Sequence, residues 1–286
     1  MPTVSDLNFS LNALTIYPVK SCAGVPLTES LLIETGLDLD RAWMVVDAQG
    51  EFVSQRELPR MALIEPTLRS HDMRLRAPGM LALHLSLDRA EAPARVRIWN
   101  DWVKAYDMGD LAAQWFSDFL GQRLRLVRFD TDHRRVSDPK WTAGHEAQTA
   151  FADGFALLVV STASLAEFNR CLVQRGASQV DMRRFRPNIV LDGIDAHDED
   201  HIDQLEIDTA EGPVVLKLVK PCARCSIPDV DPALGTTGHS VGDTLAAYRS
   251  DPRVNGAVTF GMNAVPISGI EHVLRVGQPG RASFKF

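Results

Sequence analysis

Apolar and polar residues alternate in short runs through the first third of the chain. Residues 11–19, Leu-Asn-Ala-Leu-Thr-Ile-Tyr-Pro-Val, read as a strand that ends in Lys20-Ser21-Cys22-Ala23-Gly24. Residues 43–47 and 51–55 flank Ala48-Gln49-Gly50, the pattern of a hairpin with a short glycine-containing loop. Residues 62–69, 73–76 and 81–87 form further strands, divided by Ser70-His71-Asp72 and Pro78-Gly79. Residues 95–100 and 102–106 add two more. Strands this closely spaced predict an antiparallel barrel or sandwich.

The period then changes. Leu111, Trp115, Phe116 and Phe119 fall at helical spacing across residues 110–120, and Gly121 is placed to stop the helix. Residues 124–129 return to strand. Residues 130–149 are polar, carry Pro139 and Gly144 and have no period, so they read as a long loop near the join of two subdomains. Residues 155–160 are an apolar strand. Ser164 and Glu167 have capping-box spacing, which predicts a helix starting at Ser164 with Leu165, Phe168 and Leu172 buried and Gly176 as its stop. The backbone N–H groups at such a junction suit an anion. Residues 183–188, Arg-Arg-Phe-Arg-Pro-Asn, lead into a strand over 189–192; the arginines fit a solvated face or a specific anion equally well. His197 and His201 have a spacing that can bind metal on a helix, but the segment lacks apolar periodicity and predicts an exposed acidic loop. A short helix over 244–248, a strand over 256–260 leading to Gly261-Met262-Asn263, and a last strand over 271–276 before Gly277-Gln278-Pro279-Gly280 complete the pass. The predicted fold class is mainly β with some α (α+β).

One stretch carries candidate chemistry. Residues 214–220 have the β-branched and aliphatic bias of a strand, Pro221 is placed to end it, and Cys222-Ala223-Arg224-Cys225 follows. Pro228 and Pro232 bar a regular helix beyond, so the two thiols sit on a proline-pinned loop. A zinc half-site needs two more ligands, and Cys22 and Cys171 are isolated. A redox pair lowers its first thiol's pKa at a helix N-terminus, which the prolines remove. A single thiolate ligating a soft metal delivered by a cofactor, with Arg224 beside it for an anionic group, is a third reading. Two small buried hydrophobes are the fourth.

Bulk properties narrow the classes. A chain of 286 residues with 45% hydrophobic and 23% charged residues can bury a sizeable core. A net charge of −7 argues against a nucleic-acid or anionic-membrane surface. Residues 1–12 have no basic flank followed by an apolar core, and no apolar run approaches the roughly 20 residues of a membrane helix. With four cysteines in total, this predicts a cytoplasmic chain with free thiols and no membrane segment.

Five segments, in order, resemble the MOSC superfamily. They are Tyr17-Pro18-Val19-Lys20-Ser21, Gly36-Leu37-Asp38-Leu39-Asp40-Arg41-Ala42-Trp43, residues 161–165, Phe185-Arg186-Pro187-Asn188-Ile189-Val190, and Cys222-Ala223-Arg224-Cys225 with Val230-Asp231-Pro232. The resemblance is to the two-part branch, which includes the mitochondrial amidoxime reducing components and bacterial N-hydroxy-compound reductases. It implies a β-barrel-like N-terminal subdomain over residues 1–125 and a β-barrel MOSC domain over 126–286. It implies molybdenum cofactor, a pterin dithiolene with a phosphate tail, with Cys225 as the metal ligand and catalytic residue. Lys20, Ser21 and Arg41 match positions that hold anionic or pterin parts, Arg186 and Asn188 match a second such group, and Arg224 with Ser161 or Thr162 completes the shell. Asn263 stands where some relatives have tyrosine. The implied activity is reduction of hydroxylamines, amidoximes or N-hydroxylated bases, with electrons from a separate ferredoxin- or cytochrome-type carrier and its reductase. A cofactor or sulfur carrier without turnover, and a thiol–disulfide enzyme using Cys222 and Cys225, are the alternatives.

Overall fold

The computed structural model describes residues 7–89 and 91–285; residues 1–6, part of the stretch inspected for a leader, lie outside the described residues. Seven strands form a closed ring. Leu7–Ile16 pairs with Ile189–Asp192 on one side and Pro279–Phe284 on the other. The ring continues through Ile202–Thr209, Gly212–Ala223 and Ala257–Ser268 and closes where Ala257–Ser268 pairs with Leu157–Ser161. Closure leaves these strands no free edge. Leu157–Ser161 runs parallel to Ile189–Asp192, and helix α2, Thr162–Gln174, supplies the crossover such a pair needs. Alternate residues point inward, so Leu11, Leu14, Ile16, Val159, Leu205 and Leu216 fill the barrel at 0–1% exposure.

The intervening chain builds a second module. Its four-stranded sheet runs Trp43–Val46, Arg125–Phe129, Asp101–Asp107, Pro93–Ile98, and a three-stranded sheet joins Glu65–Leu68, Asp72–Arg76 and Leu83–Ser86. Helix α1, Asp110–Leu120, lays Trp115, Phe116 and Phe119 into the core between them. Each such ring contributes about 1.5–3 kcal/mol by burial. Gly121 ends α1 at φ 77°, a left-handed cap that glycine adopts without strain.

Several elements differ from the sequence pattern. Residues 43–47 and 51–55 make no hairpin: Trp43–Val46 pairs with Arg125–Phe129, and Phe52 meets Val46 through a single bridge. Strand Gly212–Ala223 does not stop at Pro221, because register shifts on either side let the proline sit in a bulged ladder opposite Met262. Helix α2 begins at Thr162, capped by Ser161 rather than Ser164. Helix α3 is Ser240–Ala246, earlier than the pattern placed it. Strands Val25–Leu27, Glu29–Ile33, Ile202–Thr209 and Pro279–Phe284 carried no recognised signal. The N-terminal strand Leu7–Ile16 completes the barrel of the C-terminal half, so the two modules are interleaved in sequence.

Candidate functional site

A cleft of about 430 Å³ opens where the barrel rim meets the second module. Its lining holds six cationic side chains, Lys20, Arg41, Arg56, Arg186, Lys220 and Arg224, against one carboxylate, Asp153. That excess stands in a chain of net charge −7, so positive potential is focused in the cleft.

One wall is built behind Tyr17. Buried Asp40 accepts from Tyr17 N at 2.8 Å and from Arg41 Nη1 at 2.5 Å. Arg41 also donates to Asn188 Oδ1 at 2.9 Å and to the Arg186 carbonyl at 3.3 Å. Asn188, 1% exposed, accepts in addition from Leu158 N at 3.1 Å and donates to the Thr15 carbonyl at 3.2 Å. Arg186 Nη1 donates to the Cys22 carbonyl at 2.7 Å. The Tyr17 ring carries both guanidiniums, Arg41 at 4.3 Å and Arg186 at 4.1 Å from its centroid. Burial brings Arg186 down to about 10, so it keeps its charge at neutral pH, and pushes the Tyr17 phenol up to about 12, so it stays neutral. Ser21, Arg41 and Arg186 all have left-handed backbones, with φ of 67°, 48° and 58°. Such strain in non-glycine residues persists where surrounding contacts over-determine it, and it clusters at functional sites.

Lys20 forms the facing wall. Its Nζ donates to the Phe151 carbonyl at 2.9 Å and to Asp153 Oδ1 at 2.5 Å. Burial lowers its pKa and Asp153 works against that shift.

The floor is the end of strand Gly212–Ala223. Arg224 is fixed by its backbone N–H to the Val258 carbonyl at 2.8 Å and by Nη2 to the Phe185 carbonyl at 2.9 Å. Its Nη1 donates to Cys222 Sγ at 3.1 Å, while its buried Nε has no partner. The two thiols differ. Cys222 packs against the cluster of Phe168, Phe185 and Phe260, whereas Cys225 is exposed and lines the cleft. Asn263 Nδ2 donates to the Lys220 carbonyl at 3.2 Å and also faces the cleft. Asp229 Oδ1 accepts from Val241 N and Gly242 N at 3.1 and 3.0 Å, which ties the loop after Cys225 to helix α3.

Residues 8–123 match the MOSC N-terminal beta barrel domain, and residues 146–282 match the MOSC domain. The chain belongs to the MOSC family. Mitochondrial amidoxime reducing component 2 of Rattus norvegicus is 34% identical over 289 residues, covering 94% of this chain and 82% of that protein. Mitochondrial amidoxime-reducing component 1 of Homo sapiens is 36% identical over 251 residues, covering 84% and 72%. Molybdenum cofactor sulfurase of Homo sapiens is 30% identical over 266 residues, covering 87% of this chain and 29% of that protein.

In this MOSC protein the cleft brings together Lys20, Ser21, Arg41, Arg186, Asn188, Arg224, Cys225 and Asn263. Ser161 and Thr162 are a correction: they stand elsewhere. Ser161 is 0% exposed and its Oγ accepts from Ser164 N at 3.0 Å, while Thr162 Oγ1 donates to Asp192 Oδ1 at 2.6 Å. The anion at the start of α2 is the chain's own Glu199, whose Oε1 accepts from Ser161 N at 3.2 Å and Ser164 Oγ at 2.6 Å. Residues 197–201 are therefore no exposed acidic loop; Glu199 and Asp200 are 0% and 6% exposed. Among the described residues no three His, Cys, Asp or Glu side chains come together as a metal site. Arg56, Trp99, Asp153 and Lys220 line the cleft without having been singled out. Only Asp153-Gly154, a loop dipeptide directly before an apolar strand, gave a local signal for any of them. Among the described residues no helix is long and apolar enough to cross a membrane.

Proposed function

We propose that the protein is a molybdenum-cofactor-dependent oxidoreductase that reduces N-hydroxylated compounds with electrons from a separate carrier protein. The observation that carries this is an exposed thiol, Cys225, at the edge of a cleft with six cations and one carboxylate in an acidic chain. The donor set fits the group. A thiolate suits a soft metal, guanidiniums suit a phosphate, and the orphaned Nε of Arg224 supplies a buried donor without a protein partner. Lys20, Arg41 and Arg186 would neutralise the anionic part, Asn188 and Asn263 would meet pterin edges, and Cys225 would hold the metal. When bound, the cofactor supplies a two-electron centre able to accept an oxygen atom. The net reaction breaks the N–O bond with two electrons and two protons, converting R–NHOH to R–NH2 and water. The names of the relatives support the substrate class.

The different surroundings of the two thiols weigh against a thiol–disulfide enzyme. Cys222 is packed among aromatic rings beneath Arg224, and the turn after Cys225, Ile227–Asp229, is a single 3-10 turn rather than a helix. The test is elemental analysis of protein from a cofactor-competent host, together with hydroxylamine reduction driven by an artificial dye. About one molybdenum per chain with turnover supports the proposal. Metal with no turnover points to a carrier, and no metal rejects both.

A further inference from the structure

Trp99 lines the mouth of the cleft and has no role in the arrangement above. It sits between strands Pro93–Ile98 and Asp101–Asp107, at the tip of their hairpin, with φ 55°. Tight turns of this kind place glycine or asparagine at positive φ, and a bulky side chain there is a true outlier. The same residue leaves a large apolar ring 44% exposed. Strain and exposure thus coincide in one residue at the entrance to the site.

The surroundings hold that ring still. Its Nε1 donates to Asp153 Oδ1 at 3.2 Å. Phe52 meets it edge-on at 4.9 Å, and the Arg56 guanidinium lies 4.7 Å from its centroid. The turn beneath is clamped by Arg135, which is 6% exposed. Arg135 Nε donates to Asp101 Oδ2 at 2.8 Å, and its Nη groups donate to the carbonyls of Ala150, Ala152 and Asp153 at 2.9, 2.5 and 3.2 Å. The indole is therefore pre-oriented, and a ligand stacking on it need not immobilise it.

We propose that Trp99 is the specificity-determining residue of the cleft: it stacks on the planar part of the substrate. N-hydroxylated compounds that carry an aromatic plane are then preferred over hydroxylamine itself. The proposal rests on the reduction proposed above. The cationic walls attract charge but offer little flat apolar surface, and the indole supplies it. Trp99 acts on binding and not on the N–O bond, so it is a positioning residue.

The test uses molybdenum-loaded wild type, Trp99→Gly and Trp99→Phe, with a dye as reductant so that no carrier protein docks. Benzamidoxime and hydroxylamine are the two substrates. Trp99→Gly should raise KM for benzamidoxime about tenfold with little change in kcat, and leave hydroxylamine reduction unchanged. Trp99→Phe should recover most of the loss. The melting temperature of Trp99→Gly should equal or exceed that of wild type, because glycine relieves the positive φ. Benzamidoxime should also quench wild-type indole fluorescence more than that of Trp99→Phe, whether or not turnover occurs. An unchanged KM for benzamidoxime, or equal effects on both substrates, would overturn the assignment. So would a lower melting temperature with lost molybdenum in Trp99→Gly, which would make the residue structural. Wild type inactive on both substrates would reject the reductase reading, while the quenching would still report stacking.

Discussion

Arg186 combines three constraints in one residue: a left-handed backbone, a guanidinium on the Tyr17 ring, and a hydrogen bond to the Cys22 carbonyl. Burial already works against its charge, so an anion in front of it gains from a weakly hydrated partner. Charge-assisted hydrogen bonds contribute about 1.5–3 kcal/mol, so Arg186→Ala should weaken cofactor retention roughly ten- to a hundredfold. Molybdenum content after gel filtration measures it; full occupancy in the variant would leave the guanidinium a purely structural part. The residue types facing the cleft were legible because short motifs carry them: Lys20-Ser21, Arg41, Arg186-Pro187-Asn188 and Arg224-Cys225. Ser161 and Thr162 were not, because the anion that fills their helix start is a carboxylate 38 residues further on. That carboxylate, Glu199, is held above its ordinary 4.5 by burial, against the pull of hydrogen bonds from Ser164 and Ser161. The folded chain therefore binds more protons than the unfolded chain above pH 4.5, and stability falls as pH rises through that window. Glu199→Gln should flatten this slope, seen as a melting temperature that changes less between pH 5 and 8 than in wild type. An unchanged slope would show that Glu199 is ionised in the folded protein.

Elements with one strong period were readable, and those whose signal is tertiary were not. Helix α1 matches its apolar spacing and its glycine stop at both ends. Strand Pro279–Phe284 opens on Pro279-Gly280, which reads as a turn in sequence. In the barrel Gly280 is needed for space: a Cβ there would lie 2.3 Å from Phe9 Cζ and 2.7 Å from the Glu206 carbonyl oxygen. Strand Ala257–Ser268 likewise passes through Gly261, at φ 76°, where a Cβ would meet Val160 Cγ2 at 2.6 Å and the Val159 carbonyl oxygen at 2.7 Å. Gly261→Ala therefore combines backbone strain with overpacking and should cost about 2–3 kcal/mol, read from the urea midpoint. It should also disturb Asn263, two residues on in the same strand. A loss below about 0.5 kcal/mol would mean the barrel closure is looser than its geometry.

Across the whole molecule, the cleft exists because the chain is interleaved. Leu7–Ile16 is a barrel strand, and the segment directly after it delivers Tyr17, Lys20 and Ser21 to the second module. The sequence pattern divided the chain into two successive parts and could not show this return, since pairing between residues so far apart leaves no local period. A ligand bridging both modules binds only the folded state, so cofactor loading should stabilise by about 2.7 kcal/mol at a hundredfold excess over Kd. Matched melting curves of loaded and cofactor-free protein check this; identical curves would place the ligand away from the module boundary. The purified chain should take electrons from dyes yet stay inert with NADH alone, and sustained NADH-driven turnover would contradict the need for a carrier. The most direct test compares Cys225→Ser with Cys222→Ser for molybdenum content, metal spectroscopic signature and hydroxylamine reduction. Cys225→Ser should lose activity and change the signature, because a hydroxyl is a harder ligand, while Cys222→Ser should keep substantial activity because that thiol packs among aromatic rings. Equal and complete loss in both variants would contradict Cys225 as the single metal ligand, since only thiol–disulfide exchange needs both sulfurs.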